Sequence, residues 1–115
     1  MMCAPIVRKV ATEAAGLTLQ LDLPADLPCF RGHYPGFPVL AGVVQIDWVM
    51  QLAATHLHCG RRSATDFRVK FKRVIVPATP LTLTLRHDQV RERLEFVYRS
   101  GDMIASEGRI MLSTA

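Results

Sequence analysis

One stretch limits the fold more than any other. From Gly42 to about His58 the chain runs without proline through "GVVQIDWVMQLAATHLH", rich in helix-forming Met, Gln, Leu and Ala. Val43, Val44, Ile46, Trp48, Val49, Met50, Leu52, Ala53 and Leu57 cover nearly every side of a 3.6-residue wheel, the pattern of a helix buried all round. Gly60 is placed to end it, and Arg61 and Arg62 suit its negative end. Around this helix the chain alternates with period two, as half-buried strands do. Gly16 to Leu23, Asp66 to Val76 and Pro80 to Gln89 alternate, Glu92 to Gly101 ends at a Ser-Gly-Asp turn, and Met103 to Thr114 follows as a further strand. The last three stretches look like an antiparallel meander joined by short turns. One helix among five or six mostly antiparallel strands predicts an α+β domain, a curved sheet wrapped around a central helix.

The 115 residues suffice for one core, so a single domain over 1–115 is expected, with no repeat or linker. Half the residues are apolar, which excludes a disordered chain. A net charge of +4 fits an acidic partner or anionic ligand and does not by itself argue for nucleic acid. The three cysteines, Cys3, Cys29 and Cys59, have no paired metal spacing and read as free thiols, with Cys29 a small buried hydrophobe. "HLH" at 56–58 lacks a further ligand, so neither metal nor cofactor is expected, and His87 reads as a surface residue in a strand-end turn. The start lacks the apolar core of a secretory signal, and Gln45, Asp47 and Gln51 interrupt the apolar run. The expectation is therefore a cytoplasmic protein with no membrane span.

The chemistry gathers at the helix entrance. Pro35 and Pro38 with Gly32 and Gly36 impose a rigid loop that carries His33, able to exchange a proton near neutral pH. Gly42 falls at the helix start, where an N–H without an intrahelical partner and the positive dipole end suit a carbonyl oxygen. Asp47 and Gln51, four apart, share a helical face, and apolar surroundings would keep the Asp47 carboxyl protonated as an acid. Each has a plainer reading. A histidine in such a loop is more often a structural hydrogen-bonder, a helical aspartate is usually exposed or paired, and Gln51 suits a supporting polar role.

Taken together, "FRGHYPGFPVLAGVVQIDWVMQLA" resembles the active-site segment of the 3-hydroxyacyl-acyl-carrier-protein dehydratases, a hotdog-fold family. Phe30, Gly32, His33, Tyr34, Pro35, Pro38, Val39, Gly42 and Val43 match its motif F-x-G-H-F/Y-P-x-x-P-V/I-x-P-G-V, and Asp47 stands where the family has its acid. "VKFKRVIVP" resembles a further family strand; Ala41 replaces the usual proline, and "ATPL" stands where the family has P-G-D-x-L. The wording "GVVQIDWV" looks closer to the dehydratase-like proteins of aryl-polyene and related pigment pathways.

The resemblance implies reversible dehydration of a (3R)-hydroxyacyl thioester, with His33 as base, Asp47 as acid and the Gly42 N–H holding the thioester oxygen. It further implies that the Val39 carbonyl orients His33 and Gln51 supports Asp47, with Tyr34, Val39, Val43 and Gln51 at the substrate. A homodimer, or a trimer of such dimers, is implied because histidine and acid meet from different subunits. The substrate arrives on acyl carrier protein, for which Arg61, Arg62, Lys70, Lys72 and Arg73 are candidate docking charges, an ordinary solvated face being the alternative. A hotdog thioesterase and a non-catalytic, carrier-binding partner of an active dehydratase are the rival readings.

Overall fold

The computed structural model describes residues 4–13, 16–30, 39–57 and 64–113, apart from the Cys29 side chain. Among the described residues the strands are β1 (Ile6–Glu13), β2 (Gly16–Asp22), β3 (Ala64–Phe71), β4 (Leu81–Asp88), β5 (Arg93–Ser100) and β6 (Met103–Leu112), with one α-helix, α1 (Gly42–His56). They form one six-stranded sheet in the order β1-β2-β4-β5-β6-β3, antiparallel at every pairing. This is the α+β hotdog arrangement, with the sheet laid against the helix.

Alternation explains the core. Leu17, Leu19 and Leu21 of β2, Leu81, Leu83 and Leu85 of β4, and Leu94, Phe96 and Tyr98 of β5 are all buried on the helix-facing side. They form one cluster with Trp48, Val49, Leu52 and Ala53 of α1. The β5–β6 turn at Gly101 has φ +61, the left-handed region that glycine enters without a Cβ penalty. On β6 an extra residue, Ala105, interrupts the register between Tyr98 and Arg99. Its carbonyl accepts N–H bonds from Lys72 and Arg73 at 2.8 and 3.0 Å, just where β3 ends.

Three expectations need correction. α1 is not buried all round: it buries Gln45, Trp48, Val49, Leu52 and Ala53, while Val43 is 72% exposed. A single sheet can cover only one side of a helix, so the stripe Val43–Asp47–Thr55 faces outward. β3 is shorter than the alternating stretch suggests, and on this edge strand Phe67 and Phe71 are 53% and 54% exposed. His87 belongs to β4 and is half-buried, with its Nε2 enclosed and without a hydrogen-bond partner among the described residues. The strand β1 has no counterpart in the sequence reading. The helix ends with Leu57 as C-cap, and Gly60, Arg61 and Arg62 lie outside the described residues. Among the described residues no helix is long and apolar enough to cross a membrane.

Candidate active site

The entrance to α1 is Val39–Leu40–Ala41. Ala41 is the N-cap, extended at φ −63 and ψ 147, and none of the described side chains caps the helix. The N–H groups of Val44 and Gln45 both donate to the Ala41 carbonyl, at 3.1 and 3.2 Å. Gly42 and Val43 stand one step earlier, where no intrahelical carbonyl can reach their N–H groups. Two donors at the positive end of the helix dipole suit an oxygen that gains negative charge during a reaction. Gly42 has a second reason to lack a side chain: a Cβ there would lie 2.6 Å from Cζ of Phe71.

Further along the helix, Gln51 Nε2 donates to Asp47 Oδ2 at 2.6 Å, as the spacing of four allows. The desolvation expected of Asp47 is absent in the single chain, because the carboxyl lies on the exposed flank of α1. Its charge is nevertheless felt inside. Burial, and then the negative Asp47, push the Tyr98 phenol well above its ordinary value, so Tyr98 stays protonated. Its hydroxyl donates to the Gln45 carbonyl at 2.7 Å.

The structure thus places Gly42, Val43, Asp47 and Gln51 on one helix, with Val39 buried just ahead. His33 and Tyr34, and with them the ring that the Val39 carbonyl is expected to orient, lie outside the described residues, as do Arg61 and Arg62. Lys70 and Arg73 are exposed. Lys72 is already paired with Glu107 at 2.7 Å, and its hydrogen bond holds the Glu107 carboxyl below the usual carboxylate range. Lys70 opposes Glu107 across β3 and β6, so these cations lie on the sheet face turned away from the helix. An open hollow of about 1120 Å³ runs along β3, β6 and β5, bordered by Phe67, Phe71, Lys70 and Lys72, and Asp47 is not among its lining residues.

The sequence reading passed over Gln45, Ser106, Tyr98 and Phe71, which hold the helix entrance. Gln45 was visible only as a polar break in an apolar run, and its partners are remote in sequence.

Comparison with known proteins gives this geometry a family. The sequence model of the ApeI-like family, described as ApeI dehydratase, matches residues 9–109. The chain belongs to the ApeI-like dehydratases. A solved structure described as the dehydratase heterocomplex ApeI:P from Xenorhabdus doucetiae is 39% identical, superposes with a TM-score of 0.87, and is matched over 94% of this chain and 96% of that one. An uncharacterised protein from Erwinia carotovora subsp. atroseptica is 33% identical with a TM-score of 0.78, over 98% and 97% of the two chains. Among curated proteins, the 3-hydroxyacyl-acyl-carrier-protein dehydratase FabZ of Syntrophomonas wolfei is 30% identical over 100 residues, 80% of this chain. The ApeI-like chain spans only 62% of that relative's length.

Proposed function

We propose that this chain catalyses the reversible dehydration of a (3R)-hydroxyacyl thioester on acyl carrier protein to the trans-2-enoyl thioester, within fatty acid or aryl-polyene biosynthesis. The observation that carries this reading is the start of α1, whose Gly42 N–H stands on the same helix as the Gln51-bound Asp47 carboxyl, in a member of a dehydratase family.

His33 takes the proton from C2, and charge develops on the thioester oxygen, which accepts a hydrogen bond from the Gly42 N–H. The C3–O bond breaks, and the leaving hydroxyl takes the Asp47 proton and departs as water. In the reverse direction the two groups exchange roles.

An acid must hold its proton at the moment of transfer, and burial of a carboxyl favours that state. A second copy of the chain would bury Asp47 by covering the exposed flank of α1. The edge strand β3, with half-exposed Phe67 and Phe71, and the exposed Val43 and Val74 supply the apolar surface such a contact needs. The acyl chain then lies along that contact, near Tyr34, Val39 and Val43, and the carrier protein meets Lys70 and Arg73 together with Arg61, Arg62 and Lys72. The heterocomplex named for the Xenorhabdus structure makes a partner of different sequence the alternative.

Incubation with a 3-hydroxyacyl carrier protein, or its coenzyme A analogue, should give loss of one water by mass. His33→Ala and Asp47→Asn should each abolish turnover and leave a folded dimer. Free acid and free thiol would indicate a thioesterase instead. Carrier binding without turnover across chain lengths would indicate a binding subunit.

A further inference from the structure

Gln45 is 3% exposed inside the first turn of α1, and every polar group it carries has a partner within the protein. Its Nε2 donates to the Leu40 carbonyl at 3.1 Å, and its Oε1 accepts from Ser106 Oγ at 2.7 Å. Its backbone carbonyl accepts from the Tyr98 hydroxyl at 2.7 Å, and Ser106 and Tyr98 are both 0% exposed. Leu40, the residue before the N-cap, is held twice, since its own N–H donates to the Ile75 carbonyl at 2.7 Å.

The strand register shows why these groups act together. Tyr98 faces Ser106 across β5 and β6, and Phe71 faces Ser106 across β3 and β6. Phe71, Ser106 and Tyr98 therefore form one cross-strand row on the helix-facing side. The row meets the helix at three points: the Phe71 ring against Gly42, the Ser106 hydroxyl on the Gln45 amide, and the Tyr98 hydroxyl on the Gln45 carbonyl. An apolar residue at position 45 would fill the space as well. A buried amide gains its place only where each partner is present, and such a network fixes one arrangement.

We propose that Gln45, held by Ser106 and Tyr98, is a positioning residue for the reaction: it sets where the Gly42 N–H stands and touches no substrate. This rests on the dehydratase reading above. A hydrogen bond to a developing oxyanion is sensitive to displacements well below 1 Å, so a loosened entrance costs turnover more than binding.

Two variants test it. Ser106→Ala removes one donor and adds no volume. Its kcat should fall about tenfold with KM within about twofold. The amides of Val44 and Gln45, which bond Ala41, should exchange with deuterium about tenfold faster, while those of β4 and β5 keep wild-type rates. In Gln45→Glu, a neutral carboxyl can donate to Leu40 and accept from Ser106 as the amide does, whereas a carboxylate cannot donate. Its activity relative to wild type should therefore rise as pH falls from about 8 to about 6, because burial keeps a carboxyl neutral near those values. Wild-type kcat in Ser106→Ala, a loss confined to KM, or a flat relative pH profile in Gln45→Glu would overturn the proposal. Should the wild-type protein not dehydrate, the functional reading fails separately and exchange alone decides: faster exchange at Val44 and Gln45 upholds the positioning role, and unchanged exchange overturns it.

Discussion

Gly42 answers to two neighbours at once. A substrate oxygen needs to approach its N–H, and the Phe71 ring already occupies the place a Cβ would take, 2.6 Å from Cζ. Because that ring is half-exposed it can swing aside, so Gly42→Ala should melt within a few degrees of wild type. The added methyl would still crowd the approach to the N–H, and kcat/KM should fall about a hundredfold, as when one oxyanion donor is lost. Thermal melting and steady-state kinetics on the same preparation check both halves. At this scale the sequence was legible where chemistry is local. The Asp47–Gln51 hydrogen bond follows from a spacing of four. Gln45 was not legible, because Tyr98 and Ser106 stand 53 and 61 residues away along the chain and no local pattern announces them.

Among the elements, β2, β4, β5 and β6 were marked to within two residues. β2, β4 and β5 bury a leucine or aromatic at every second position against α1, and β6, whose period the Ala105 bulge breaks, was marked by the Ser-Gly-Asp turn ahead of it. Alternation missed β1, an edge strand whose Ile6 and Val10 are 45% and 40% exposed and whose register slips between Val7 and Lys9. A bulge inserts a residue and breaks the period that would reveal the strand. It also promised too much for β3, where Phe67, Val69 and Phe71 alternate correctly but only Val69 is even partly covered. Those rings mark the face that a second subunit should cover. The double variant Phe67→Glu/Phe71→Glu places two charges there and should sediment as a monomer without turnover, with wild-type far-UV circular dichroism. A dimer of normal activity would show that β3 is not the contact.

For the whole molecule, the short turns were enough to read β4, β5 and β6 as an antiparallel meander. The full order β1-β2-β4-β5-β6-β3 was beyond reach of the pattern, since β3 precedes β4 in the chain yet lies beyond β6. Pairing is decided by long-range packing, and period-two alternation carries no record of which strand is whose neighbour. Stability against acid is also distributed over the molecule. The Arg91 and Val90 N–H groups bonded to Asp88 hold its carboxyl below its ordinary 3.8, the Arg91 bond most strongly. The Lys72 hydrogen bond holds Glu107 below 4.5. Both carboxylates favour the folded state when ionised, so their stabilisation is full above those values and is lost as pH falls through the lower folded ones. The melting temperature should drop on acidification below about 4.5, and Asp88→Asn with Glu107→Gln should flatten that drop. The uncovered edge of β3 has a consequence of another kind. If each site joins His33 of one chain to Asp47 of the other, two dead proteins can repair one another. Mixing His33→Ala with Asp47→Asn under conditions of subunit exchange creates hybrids with one site free of both substitutions and one carrying both, and random exchange returns about a quarter of wild-type activity.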